Sequence, residues 1–123
     1  MPREVQPAEA PWTVFSDVVG LRTERKEQLI DLTELVAERV RRSGVWFGLA
    51  SVQAPPASVA VRVEVDAGLS GEGGRRAPVP TLTLPVAEGV LQLGHGQRVF
   101  LAESDGPRPR RVQVLVLGLP GLS

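Results

Sequence analysis

The chain has 123 residues, 14 basic and 14 acidic side chains, one histidine and no cysteine. Its length fits one domain able to bury its own core, and zero net charge removes the basic excess expected of a general nucleic-acid binder. The lack of cysteine excludes disulfides and thiolate chemistry.

No apolar run approaches the roughly 20 residues that cross a bilayer as a helix, and the start MPREVQPAEAP has no signal-peptide apolar region, so a cytoplasmic protein is expected. Met1 to Pro11, with prolines at 2, 7 and 11, reads as a loosely docked arm, leaving 12–123 as a single domain. Trp12 to Arg22 carries enough branched and apolar residues for a strand; the charged Thr23 to Glu27 turns the chain into a second strand, Gln28 to Leu32. Asp31 and Glu34 have capping-box spacing and predict a helix starting at Asp31. Leu35, Val36 and Val40 mark its apolar stripe, and Ser43 and Gly44 its end.

Val45 to Val52 is almost continuously apolar and predicts a buried strand, which Gln53, Ala54, Pro55 and Pro56 interrupt. In VAVRVEVD, Val59, Val61, Val63 and Val65 alternate with Ala60, Arg62, Glu64 and Asp66, the period of a half-buried strand. Gly68 to Pro80 is rich in Gly, Pro and Arg and reads as a loop. Strands are expected again at Thr81–Pro85, Gln97–Glu103 and Arg111–Leu117, the last two joined by a tight turn at Asp105, Gly106 and Pro107. About seven strands and one main helix predict an α+β fold of mostly antiparallel, sandwich-like sheets.

The residue census narrows the chemistry. One His, one Lys (Lys26) and no Cys, Tyr or Asn mean that a single chain cannot assemble a multi-histidine metal site. A nucleophile triad would have to use His95, and a Schiff-base or phosphate-loop lysine would have to be Lys26, which lacks a glycine loop. Thirteen arginines against one lysine, with 11 prolines, fit a heat-tolerant source, and genome composition alone would give the same bias.

Three blocks, QLIDLTELVAERVRRSGVWFGLASV, QAPPASVAVRVEVD and TLTLPVAEGVLQLGHGQRVFLAESDGPRPRRVQVLVLG, resemble the YjbQ-type family, also known as the secondary thiamine-phosphate synthase family. The first resembles the family's strand, helix and strand, and the second aligns with its HTTA-containing strand pair. The third resembles its C-terminal block, with LPV, LG, the glutamine of WQ, DGPR and RR at the same intervals. The resemblance implies a homotrimer with pockets between subunits, and thiamine-phosphate synthesis by displacement of pyrophosphate. The departures bear on that chemistry. Ala54, Pro55 and Pro56 stand where the family has the histidine and threonines of HTTA; Arg62, Val63 and Glu64 replace Asn, Glu and Asn, and only Asp66 keeps the family's acid. Gly96 stands for the tryptophan before Gln97, and GLSGEGGRRAPVP shortens a region that carries further family histidines.

Candidate binding residues are Arg108, Arg110, Arg62, Asp66, Glu64, Gln97 and His95, with no catalytic or metal residue assigned. Arg108, Arg110 and Arg111 beside Gly106 combine rigid guanidinium donors with a tight backbone, as phosphate or carboxylate binding requires; a solvated hairpin end, paired to Glu103 and Asp105, is the plainer reading. Arg62, Glu64 and Asp66 form either a solvated strand face or a rebuilt pocket floor. His95 is a turn residue between Gly94 and Gly96, a residue meeting its copies about a threefold axis, or a lone general base. Arg75 and Arg76 follow no phosphate-loop spacing. Two functions stay open: a non-catalytic scaffold for a small phosphate- or carboxylate-bearing ligand, without cofactor, and a residual thiamine-phosphate synthase-like transferase using magnesium at Glu64 and Asp66.

Overall fold

Valine-rich alternation builds strands along most of the chain, because branched side chains pack well on a pleated surface with one covered face. A computed structural model describes residues 11–54, 61–66 and 81–121; of residues 61–66, only the Val65 side chain is included. The expectations for residues 1–10, Pro55, Pro56, Val59, Ala60 and the loop at 68–80 with Arg75 and Arg76 lie outside the described residues.

The elements run β1 (Thr13–Arg22), β2 (Gln28–Asp31), α1 (Thr33–Ser43), β3 (Val45–Gln53), β4 (Val61–Asp66), β5 (Thr81–Ala87), β6 (Val90–Leu91), β7 (Arg98–Glu103) and β8 (Pro109–Pro120). They form a five-stranded sheet ordered β1-β8-β3-β5-β6 and a three-stranded sheet ordered β2-β7-β4, with every pairing antiparallel. The expected α+β architecture, with one helix among the described residues, is therefore the one observed. Val112, Val114 and Val116 of β8, Ala50 and Val52 of β3, Val99 and Leu101 of β7, and Leu32, Val36 and Val40 around α1 share one buried core. Asp17 of β1 fixes the helix by a 2.8 Å ion pair to Arg39, and Arg42 lies 5.5 Å from the centre of the Phe15 ring.

Four expectations change. Asp31 does not open the helix by a capping box. It is the last residue of β2, opposite Phe100, and its carboxylate accepts the Thr33 amide at 2.9 Å across a two-residue turn; α1 begins at Thr33. Sheet pairing captures Asp31, and Leu32 N–H is taken by the Val99 carbonyl at 2.7 Å. Strand β3 is not buried on both faces: Ala50 and Val52 point inward, whereas Phe47 and Leu49 are about half exposed. A short strand, β6, follows the Glu88–Gly89 turn, raising the count among the described residues to eight. Strand β8 extends beyond the expected Arg111–Leu117 at both ends, because β1 pairs along ten of its residues and β3 along the far end. Gly44 ends α1 as expected, in the left-handed conformation at φ 73°.

Candidate functional site

Two connections cross between the sheets side by side: residues 23–27 lead from β1 to β2, and residues 104–108 lead from β7 back to β8. The DGPR segment lies in the second. Gly106 donates its N–H to the Lys26 carbonyl at 3.0 Å, and a Cβ there would lie 2.3 Å from the Arg25 carbonyl oxygen, so the crossing requires glycine. Thr23 and Arg108 exchange backbone contact: Thr23 N–H donates to the Arg108 carbonyl, and Arg108 N–H donates to the Thr23 hydroxyl, both at 2.9 Å.

Glu103 sits at the centre, 3% exposed, on the inward side of β7 with Val99 and Leu101. Its Oε1 accepts the Thr23 hydroxyl at 2.8 Å and Arg110 Nε at 2.7 Å; its Oε2 accepts Arg110 Nη2 at 2.7 Å and the Asp105 amide at 3.1 Å. Four donors fill the lone pairs of both oxygens, so this carboxylate has no acceptor left for a substrate or a metal. The two-pronged bond to Arg110, more than the Asp105 amide or the Thr23 hydroxyl, holds the Glu103 carboxyl down at about 2 although burial opposes it. Glu103 in turn holds the Arg110 guanidinium above its ordinary value.

The candidate residues divide between the two ends of β7, a strand of six residues spanning about 17 Å. At one end, Arg110 closes on Glu103, and the exposed Arg108 pairs with Asp105 at 3.1 Å. Arg62 sits in register with Ala102, near this end. At the other end, Asp66 is in register with Arg98, and Glu64 with Phe100 in the middle of the strand. Gln97 accepts the Gly94 amide at 2.6 Å through its side chain, bracing the turn that exposes His95. Arg98 pairs with Asp31 at 2.8 Å. Burial alone would raise the Asp31 carboxyl, but the Thr33 amide, the Thr33 hydroxyl and Arg98 bring it below its ordinary value. The side chains of Arg62, Glu64 and Asp66, and with them the proposed magnesium pair, lie outside the described residues. Among the described residues no three His, Asp or Glu come together as a metal site.

Sequence reasoning named the arginines and missed Thr23, Thr33, Asp31 and Arg98. One signal was available: Glu103 has the parity of Val99 and Leu101, and Arg110 that of Val112 and Val114, and charges on the inward side of two strands call for each other. Thr23 carried no such mark, since its hydroxyl meets Glu103 across 80 positions of sequence.

The comparisons with known proteins agree with this architecture. The model of the UPF0047 protein YjbQ-like family matches residues 78–119, which take in β5 to β7, the connection at 104–108 and all but the last residue of β8. A UPF0047 protein of Methanothermobacter thermautotrophicus is 30% identical over 135 aligned positions, covering 87% of this chain and 94% of that protein. The chain belongs to the UPF0047 family. A crystal structure of a YbjQ-like protein of unknown function from Sulfolobus solfataricus superposes with a TM-score of 0.76 at 25% identity, covering 87% of this UPF0047 chain and 99% of the other. A hypothetical protein from Aeropyrum pernix gives 0.72 at 25% identity, covering 85% and 98%. No helix among the described residues is long and apolar enough to cross a membrane.

Proposed function

We propose that this chain is a non-catalytic UPF0047 protein that keeps the domain as a homotrimeric scaffold and binds a small phosphate- or carboxylate-bearing molecule. The observation that carries the scaffold reading is the outer face of the five-stranded sheet. Val14, Leu117, Leu49 and Pro85 align across four strands, and Leu119, Phe47 and Ala87 form the next row. Val14 is 67% exposed, Phe47 50% and Leu49 48%. A contiguous apolar face of this kind supports a protein interface, and the far end of the same face turns mostly polar, with Gln113, Gln53 and Thr81 in one row beside Val18.

The non-catalytic reading rests on what occupies the expected site positions. Ala54, where the resemblance implies a histidine, is 1% exposed within the core. Glu103, Arg110 and Arg108 are spent on one another and on Asp105, holding the crossing closed. The assay that tests this incubates the protein and magnesium with the pyrimidine diphosphate and thiazole phosphate precursors and follows pyrophosphate. No release above the protein-free control is expected; turnover abolished by Arg108→Ala would instead establish a residual thiamine-phosphate synthase-like transferase.

A further inference from the structure

A cavity of about 240 Å³ opens between α1 and the β5–β6 hairpin, away from the crossing. Thr33, Ala37 and Arg41 line it from one stripe of the helix, and Gly89, Val90, Leu91 and Leu93 from the hairpin and the segment beyond. Apart from Thr33 and Arg41, every lining residue is apolar or glycine. The Thr33 hydroxyl is already engaged, accepting the Val99 amide at 2.8 Å. Arg41 is not: among the described residues its exposed side chain has no ion pair or hydrogen bond, as is also true of Arg22, Arg25 and Arg111, and of these four it is Arg41 that lines the cavity.

We propose that this cavity binds a small monocarboxylate with a compact apolar body, its carboxylate on Arg41 and its body against Ala37, Leu91 and Leu93. The inference rests on the small-anion reading above and gives that reading a site. Size supports it: 240 Å³ lies below the roughly 300–1,000 Å³ of sites for drug-sized ligands and suits a body of about four to six carbons. Charge supports it too, since Arg41 is the cationic residue of an otherwise apolar lining, and a guanidinium is a two-pronged donor to a carboxylate that gives an apolar body an orientation. The hairpin carries a reporter. Gly89, at φ 76°, donates its N–H to the Trp46 carbonyl at 3.0 Å, and a Cβ on Gly89 would lie 3.4 Å from the Trp46 ring.

The test titrates the full chain with 3-methylbutanoate, following methyl and amide NMR signals and Trp46 fluorescence, with 3-methylbutan-1-ol as the uncharged comparison. Saturable shifts confined to Ala37, Val90, Leu91 and Leu93 are expected. Arg41→Gln should weaken 3-methylbutanoate about tenfold or more, the scale of a charge-assisted hydrogen bond, and leave the weak binding of the alcohol unchanged. Absence of saturation at the cavity, or equal affinity of both proteins for the acid, overturns the proposal and assigns Arg41 to solvation of the helix end. Light scattering on the same samples reports the assembly separately, so loss of the trimer and loss of the ligand site are read independently.

Discussion

Gly48 of β3 and Gly118 of β8 lie opposite each other, and a Cβ on either would stand about 2 Å from a carbonyl oxygen of the other strand: 2.1 Å from Leu117 O for Gly48, 2.2 Å from Phe47 O for Gly118. The register of the pair shifts between Val45 and Phe47, immediately beside them. Close approach of the two backbones is thus what lets β3 irregularly enter the sheet and still align Leu49 with Leu117. Gly48→Ala should destabilise the fold by about 2–3 kcal/mol, as overpacking against backbone does, measured by urea unfolding. Gly20→Ala is the matched control: nothing lies within 4 Å of its added Cβ, so it should be neutral or slightly stabilising.

The Glu103–Arg110 pair ties the last residue of β7 in one sheet to the second residue of β8 in the other. Truncating the arginine strands a buried carboxylate, so Arg110→Met should cost about 3–5 kcal/mol. Adding Glu103→Gln removes the stranded charge and should recover about half of that loss or more. Urea midpoints of the two single variants and the double variant give the coupling. Additive losses would show that the pair does not act as a unit.

Acid should weaken the fold in a defined window. Glu103 is held at about 2 in the folded protein against an ordinary 4.5, so its contribution is complete above 4.5 and is lost as pH falls toward 2. The size is about 3 kcal/mol, and Asp31, also lowered, acts in the same direction. Stability measured in urea from pH 7 to 2.5 should fall mainly below pH 4.5. In Glu103→Gln the slope should be markedly shallower, and an unchanged slope would assign the acid sensitivity elsewhere.

Thr33 gives a local test of buried hydrogen bonding. Its hydroxyl accepts the Val99 amide, joining the start of α1 to β7 in the core. Thr33→Val keeps the shape and leaves that N–H without a partner, which should cost about 1–3 kcal/mol, whereas Thr33→Ser should cost much less. Thermal unfolding of the two variants distinguishes the hydroxyl from the methyl.

The strands were legible because branched residues alternate with a period of two, most plainly in VRVEVD and in β8, and Gly44 marked the end of the helix. What the alternation does not carry is which face a neighbour covers. Phe47 and Leu49 share their run with Ala50 and Val52, so the run reads as buried although half of it is exposed. Asp31 has the spacing of a cap, yet pairing with β7 and the ion pair to Arg98 claim it first. The site was legible as residue types and illegible as partners. Arg108, Arg110 and Glu103 are close in sequence, but their arrangement depends on Thr23, which only the packing of two distant connections brings in.

The exposed sheet face supplies the last prediction. A charge at the apolar end should be inexpensive in a monomer, because Leu49 already meets water there, and costly in an assembly that buries it. Leu49→Lys should therefore keep a folded circular-dichroism spectrum and lower the mass in light scattering from that of three 13.2 kDa chains to that of one. Gln113→Lys, on the same face but at its polar end, should leave the mass unchanged. A wild-type chain that scatters as a monomer at micromolar concentration would remove the scaffold reading, and a Leu49→Lys variant that still forms the trimer would move its interface off this face.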